Sequence, residues 1–182
     1  MQNVPLIDTE RLRGMAQKRL DQVAAGTGSS LKTLSVKARL VKDYLKEADI
    51  GSHQVLCDER PDLGGGNAAP TPLEYFLAGF AFCELTILTQ YAATMRLDLE
   101  AVEFEVTGLI DFRGKYGVGN APVGFQKIKY QVRIRSREPE ERVLRLARLT
   151  RERCPAYNTL KGGGVALEGD LVVNGKMIGG IE

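Results

Sequence analysis

A chain of 182 residues, 43% hydrophobic and 26% charged, can build one compact domain, with room for an added terminal element, and is too apolar and too evenly charged for disorder. Its net charge of +2 lacks the basic excess of a nucleic-acid-binding protein. No apolar run reaches the ~18 residues a bilayer span needs, and residues 1–13 hold Asp8 and Glu10 but no apolar signal core; the expectation is a cytoplasmic protein with neither nucleic acid nor membrane as partner.

The first predicted element is a helix over 9–25, with Leu12, Met15, Ala16, Leu20 and Val23 at helical spacing. Gly26-Thr27-Gly28-Ser29-Ser30 stops it, which sets residues 1–30 apart as a helical extension of a domain over 31–182. Between 34 and 56 the pattern turns to strand, with Val36, Ala38 and Leu40 alternating against Lys37 and Arg39. Residues 58–70 form a loop rich in glycine and proline. A helix over 71–95 then opens on Thr71 as N-cap, Pro72 at the first helical position and Glu74 at the third. Apolar residues cover nearly all its faces, which predicts burial in the middle of the domain, and Cys83 lies near its centre.

Two strands follow. Val102, Phe104, Val106, Gly108, Ile110 and Phe112 alternate with Glu103, Glu105, Thr107 and Asp111; Ile128, Tyr130, Val132 and Ile134 alternate with Lys127, Lys129, Gln131, Arg133 and Arg135. An acidic and a basic outer row favour cross-strand pairing. Residues 138–153 form an amphipathic helix with Val143, Leu146, Ala147 and Thr150 on one side. Arg142, Arg145, Arg148 and Arg151 read as its solvated face, with Glu138 and Glu141 four residues before Arg142 and Arg145. Pro155 ends the helix. Asn174-Gly175 is a tight turn between strands over 165–173 and 176–181. Strands, a buried helix, strands, a helix and a hairpin make an α+β fold with an antiparallel sheet.

Three cysteines and one histidine bound the chemistry. No C-x-x-C or H-x-x-x-H pair is present, so no metal site is expected. Cys83 reads as either an inert core thiol or a reactive one, and Glu84, Thr86 and Gln90 around it hint at a wet pocket or an interface. Cys154 precedes Pro155, which can open a new helical turn and leave the sulfur at its N-cap, where backbone N–H groups lower a thiol pKa. Cys57 reads as a packing residue, and His53 as a loop or strand-end residue. Gly64-Gly65-Gly66 and Gly162-Gly163-Gly164 lack the Lys-Ser/Thr of a phosphate loop and read as flexible turns.

The run from Gly64 to Cys83, with its Gly-rich loop, Pro72-Leu73-Glu74 helix start and small-residue helix, resembles the OsmC/Ohr family, as does Cys154-Pro155 followed by Leu160. The resemblance covers residues 34–181. It implies an OsmC-like fold of antiparallel sheets around a central buried helix bearing the cysteine, in an intertwined homodimer. It further implies a thiol peroxidase in which Cys83 attacks an organic hydroperoxide and Cys154 resolves the sulfenic acid as a disulfide. An external dithiol would reduce that disulfide, with no bound cofactor. The family's arginine is assigned to Arg39, ahead of Arg60 and Arg113, and its glutamate to Glu74. Ohr-type chains carry that glutamate directly after the proline, where Leu73 stands here, so the pattern is closer to the OsmC-like branch. A redox sensor or small-molecule binder on the same fold is the alternative, and a hydrolase using His53 a distant third.

Overall fold

The computed structural model describes residues 5–27 and 30–181. The chain divides into two compact units, Gln22–Ala78 and Met1–Asp21 with Gly79–Glu182. Gly28 and Ser29, part of the expected helix stop, lie outside the described residues.

In the first unit β1 (Lys37–Lys42), β2 (Leu45–Ile50) and β3 (His53–Cys57) form an antiparallel sheet in that order. Asp43 (φ 50°) and Gly51 (φ 60°) supply the left-handed positions its two turns require. The loop after β3 is organised by Asp58, which is buried and accepts hydrogen bonds at 3.0 Å from the N–H groups of both Gly66 and Ala68. These donors and that of Glu59 hold its carboxyl below the usual carboxylate range. A Cβ at position 65 would overlap the Glu59 carbonyl. The glycine triplet read as a flexible turn is therefore a close backbone crossing pinned by a carboxylate.

Helix α2 (Pro72–Thr94) starts on the predicted capping box: the Thr71 N–H donates to the Glu74 carboxylate at 2.7 Å and the Glu74 N–H to the Thr71 hydroxyl at 3.4 Å. The Tyr75 hydroxyl donates to the Leu56 carbonyl at 2.7 Å.

The second unit holds most of α1 (Thr9–Ala24), capped by Asp8, whose carboxylate accepts from the Arg11 N–H at 3.1 Å. Its sheet runs β4 (Leu99–Ile110), β5 (Phe125–Ser136), β6 (Ala166–Val173), β7 (Lys176–Gly180). The expected antiparallel pairing holds for β4–β5 and β6–β7, and the outer rows meet in Glu105–Arg133 at 2.9 Å and Glu100 with Arg135 and Arg137 at 3.2 and 3.0 Å. The pair β5–β6 is parallel, because α4 (Glu140–Arg153) and α5 (Pro155–Gly162) carry the chain back across the sheet before β6 begins. Phe112 is not a strand residue. Asp111 accepts from the Arg113 N–H at 2.9 Å, caps the short α3 (Phe112–Lys115) and ends β4 at Ile110, leaving Phe112 exposed.

The core lies between this sheet and the helices, with Leu97, Leu99, Ile128, Val143, Leu146 and Leu171 almost fully buried. Helix α2 contributes Phe80, Ala81, Glu84, Leu88, Ala92 and Ala93, which fall along one of its faces. The single chain thus buries one face of α2 rather than all of it, and Phe82 is 67% exposed. By length and composition alone α2 is long and apolar enough to match a bilayer span, with Glu84 and the threonines interrupting its apolar run.

The capping box separates charge from shape at Glu74. Glu74→Ala is expected to lower stability by about 1 kcal/mol, while Glu74→Gln, which keeps the reciprocal hydrogen bond, stays within ~0.5 kcal/mol of the parent in urea denaturation.

Candidate active site

Cys83 and Cys154 meet within one unit. Cys154 is fully buried between α4 and α5, Cys83 is partly buried on α2, and the Cys83 thiol acts on that of Cys154. The joint between α4 and α5 is made by Pro155, which stops one helix and starts the next with Cys154 as N-cap. The Asn158 amide braces it, donating to the carbonyls of Arg151 at 3.0 Å and Cys154 at 2.8 Å.

The N-cap geometry expected of Cys154 is present, with the Tyr157 N–H donating to its sulfur at 3.4 Å. Its effect on acidity is reversed. Burial pushes the thiol well above the usual range, the Tyr157 N–H opposes this, and the Glu84 carboxylate and the Cys83 thiol push it further up. A helix N-terminus stabilises a thiolate only by a partial charge, whereas full desolvation acts on the whole charge.

Beside the thiols stands a cluster of polar side chains that the sequence reading did not assign to the site. Glu84 is 2% exposed, and the Cys154 thiol and the Arg151 charge both act on its carboxylate. Burial raises the Glu84 pKa, while the Cys154 thiol and the Arg151 charge oppose the rise. Arg151, expected on the solvated face of α4, is only 7% exposed; Arg142, Arg145 and Arg148 are exposed as expected. It departs from them because it sits in the last turn, where α4 turns into α5, with its guanidinium 5.5 Å from the centre of the Tyr157 ring. Glu84 Oε1, Arg151 Nε and the Tyr130 hydroxyl are buried with no hydrogen-bond partner among the described residues. The signal available in sequence was Glu84 itself, a charged residue next to a cysteine in an apolar helix.

Aromatic packing holds this cluster in place. Tyr130 stacks on Phe104 (5.3 Å, 9°), meets Phe80 edge-on (5.5 Å, 86°) and faces Tyr157 (6.5 Å, 80°). The Tyr130 ring lies directly over its parallel-strand neighbour Gly169, where a Cβ would overlap it.

The other expected site residues sit in the first unit. Arg39 is exposed on β1 and paired with Glu47, and Glu74 is engaged in the capping box. Arg60 pairs with Asp62, and Arg113, in the second unit, pairs with Asp111. His53 is exposed on β3. Cys57 is partly buried at its end, and its thiol is pushed up by burial. Among the described residues no three His, Cys, Asp or Glu side chains gather as a metal site. Along the neighbouring face of α2 runs an apolar groove of about 620 Å³ between that helix and α1, lined in part by Leu12, Met15, Phe82, Leu85 and Thr86.

Two outcomes test this arrangement. Gly169→Ala is expected to cost about 1–3 kcal/mol through overpacking and to change the near-ultraviolet dichroism of the tyrosines, because the Tyr130 ring must move. The raised pKa of Glu84 means that the folded state holds its proton more tightly than the unfolded state. Its contribution is therefore complete below the unfolded carboxyl pKa and is lost as pH rises through the folded value. As pH rises above the unfolded carboxyl pKa, the melting temperature of Glu84→Gln, followed by thermal denaturation, should gain on that of the parent.

Comparison with known proteins agrees with this picture. A family model for OsmC-like proteins matches residues 64–168, a span that includes both cysteines. A hydroperoxide reductase of Mycoplasma genitalium is 30% identical over 134 residues, covering 72% of this chain and 89% of that protein. Among solved structures, an OsmC-like protein of Mycoplasma pneumoniae superimposes with a TM-score of 0.66 at 26% identity, over 78% of this chain and 98% of its own. An organic hydroperoxide resistance protein OsmC of Legionella pneumophila does so with a TM-score of 0.56 at 21% identity, over 80% and 98%, a likeness of fold. With its paired cysteines inside the matched span, the chain belongs to the OsmC-like protein family.

Proposed function

We propose that the protein reduces organic hydroperoxides with Cys83 as the attacking thiol and Cys154 as the resolving one. The observation that carries this reading is that the two cysteines fall in one compact unit, with the Cys83 thiol acting on the buried Cys154 thiol. The Cys83 thiolate attacks one peroxide oxygen, the O–O bond breaks, and the alkoxide leaves and takes up a proton to give the alcohol. The resulting sulfenic acid condenses with Cys154, releasing water and forming the disulfide, and an external dithiol returns two electrons and two protons. The hydroperoxide reductase of Mycoplasma genitalium supports the substrate class. The family pattern favours Arg39 as the positive partner of the attacking thiol and Glu74 as the residue assigned to position it. The exposed Phe82 on α2 and Met15 and Leu20 on α1 are apolar surface suited to a second copy in a homodimer.

The second reading, a redox sensor without efficient turnover, is favoured by Glu74, whose carboxylate is already engaged at the helix start. Single-turnover oxidation of the reduced protein separates the two. As a peroxidase it loses two thiols, at least ~10²-fold faster with cumene hydroperoxide than with hydrogen peroxide, and yields a linked Cys83–Cys154 peptide in mass spectrometry. Cys83→Ser abolishes the reaction, and Cys154→Ser stops at a trappable sulfenic acid. Slow, unselective loss without the linked peptide would sink the peroxidase reading.

A further inference from the structure

The Cys154 thiol must lose its proton before its sulfur can attack Cys83, and at this site water does not reach it: Cys154 is 0% exposed. The carboxylate that acts on it is Glu84, itself 2% exposed and fixed on α2 one residue after Cys83. The groups facing this carboxylate are Cys154 with its neighbour Cys83, Arg151 from α4 and Tyr130 from β5, with Tyr157 from α5 against Tyr130 and Arg151. Arg151 is the one cation among them, and it balances a carboxylate that would otherwise be buried alone. Glu84 Oε1 is buried without a hydrogen-bond partner among the described residues, so the carboxylate has an oxygen to spare for a proton.

We infer that Glu84 is the proton acceptor for the resolving step, taking the Cys154 proton and returning it to the departing oxygen. The inference rests on the peroxidase reading above. In the step, the Cys154 S–H bond breaks and the proton passes to the Glu84 carboxylate. The sulfur then attacks the Cys83 sulfenic sulfur, the S–S bond forms and the S–O bond breaks. The oxygen leaves as water, carrying the proton back from Glu84. The Cys154 sulfur is oxidised and the Cys83 sulfur reduced by the same amount, and Glu84 ends as it began. Burial lifts the proton affinity of Glu84 above that of a surface carboxylate, toward that of the thiol it serves, which suits a group that must both accept and return the proton. The carboxylate also disfavours a standing Cys154 thiolate, so the resolving thiol ionises as it reacts.

The experiment is stopped-flow oxidation with cumene hydroperoxide, following sulfenic acid by dimedone trapping and disulfide by mass spectrometry. In Glu84→Gln, sulfenic acid is expected to form within about threefold of the wild-type rate, while the disulfide forms ~10²-fold more slowly and trapped sulfenic acid accumulates. A disulfide rate unchanged in this variant overturns the inference and leaves the peroxidase reading standing. If the wild type gives neither sulfenic acid nor disulfide, both fall together. The pH profile of the wild type needs no variant. With Glu84 as acceptor, the resolving rate rises with its ionisation and then levels; a rise of about tenfold per pH unit continued to pH 10, the mark of direct thiol ionisation, overturns the inference.

Discussion

A carboxylate in the middle of an apolar helix must find a partner or a proton, and the second unit is arranged around that requirement at Glu84. Helix α2 places the carboxylate against the sheet, where the ionised form loses nearly all of its hydration. Two elements answer it: α4 ends with Arg151 turned inward, and the α4–α5 joint sets the Cys154 thiol where it acts on the carboxylate. Without the turn at Pro155, Arg151 would lie with the other exposed arginines of α4, and Cys154 would not be a helix cap. The polar group that is costly to bury also brings the two cysteines together, since Cys83 is its neighbour on α2.

The aromatic layer beneath this cluster makes the arrangement rigid. Phe80 from α2, Phe104 from β4, Tyr130 from β5 and Tyr157 from α5 meet at centroid separations of 5.3–6.5 Å, in stacked or edge-on geometries. One residue from each element enters, so a shift of any one moves the floor of the site. Gly169 on β6 completes the layer by having no side chain, which is possible because β5 and β6 run parallel in a register that sets it beside Tyr130.

The first unit shows the same economy in a different form. Asp58 gathers the N–H groups of a glycine-rich loop, and the loop delivers the chain to the Thr71–Glu74 capping box. Backbone donors that a loop would otherwise leave to solvent are satisfied by a buried carboxylate and a helix cap.

Local signals in the sequence determined the elements that depend on near neighbours. The capping box at Thr71–Glu74, the break at Pro155 with Cys154 as cap, the alternation in β4 as far as Ile110 and in β5, and the Asn174-Gly175 turn form as read, because each is decided by residues within one turn or one hairpin. The pair of cysteines was legible through family resemblance. Their contact, the burial of Arg151 and Glu84, the parallel β5–β6 pair and the upward shift of the Cys154 thiol were decided by tertiary structure. Arg151 shares its stripe with three exposed arginines, and no local pattern distinguishes it; only the chain reversal at Pro155 turns it inward. The acidity of Cys154 follows the same rule: its cap is a local property, but burial belongs to the packed fold, and for a fully enclosed thiol burial is the larger effect.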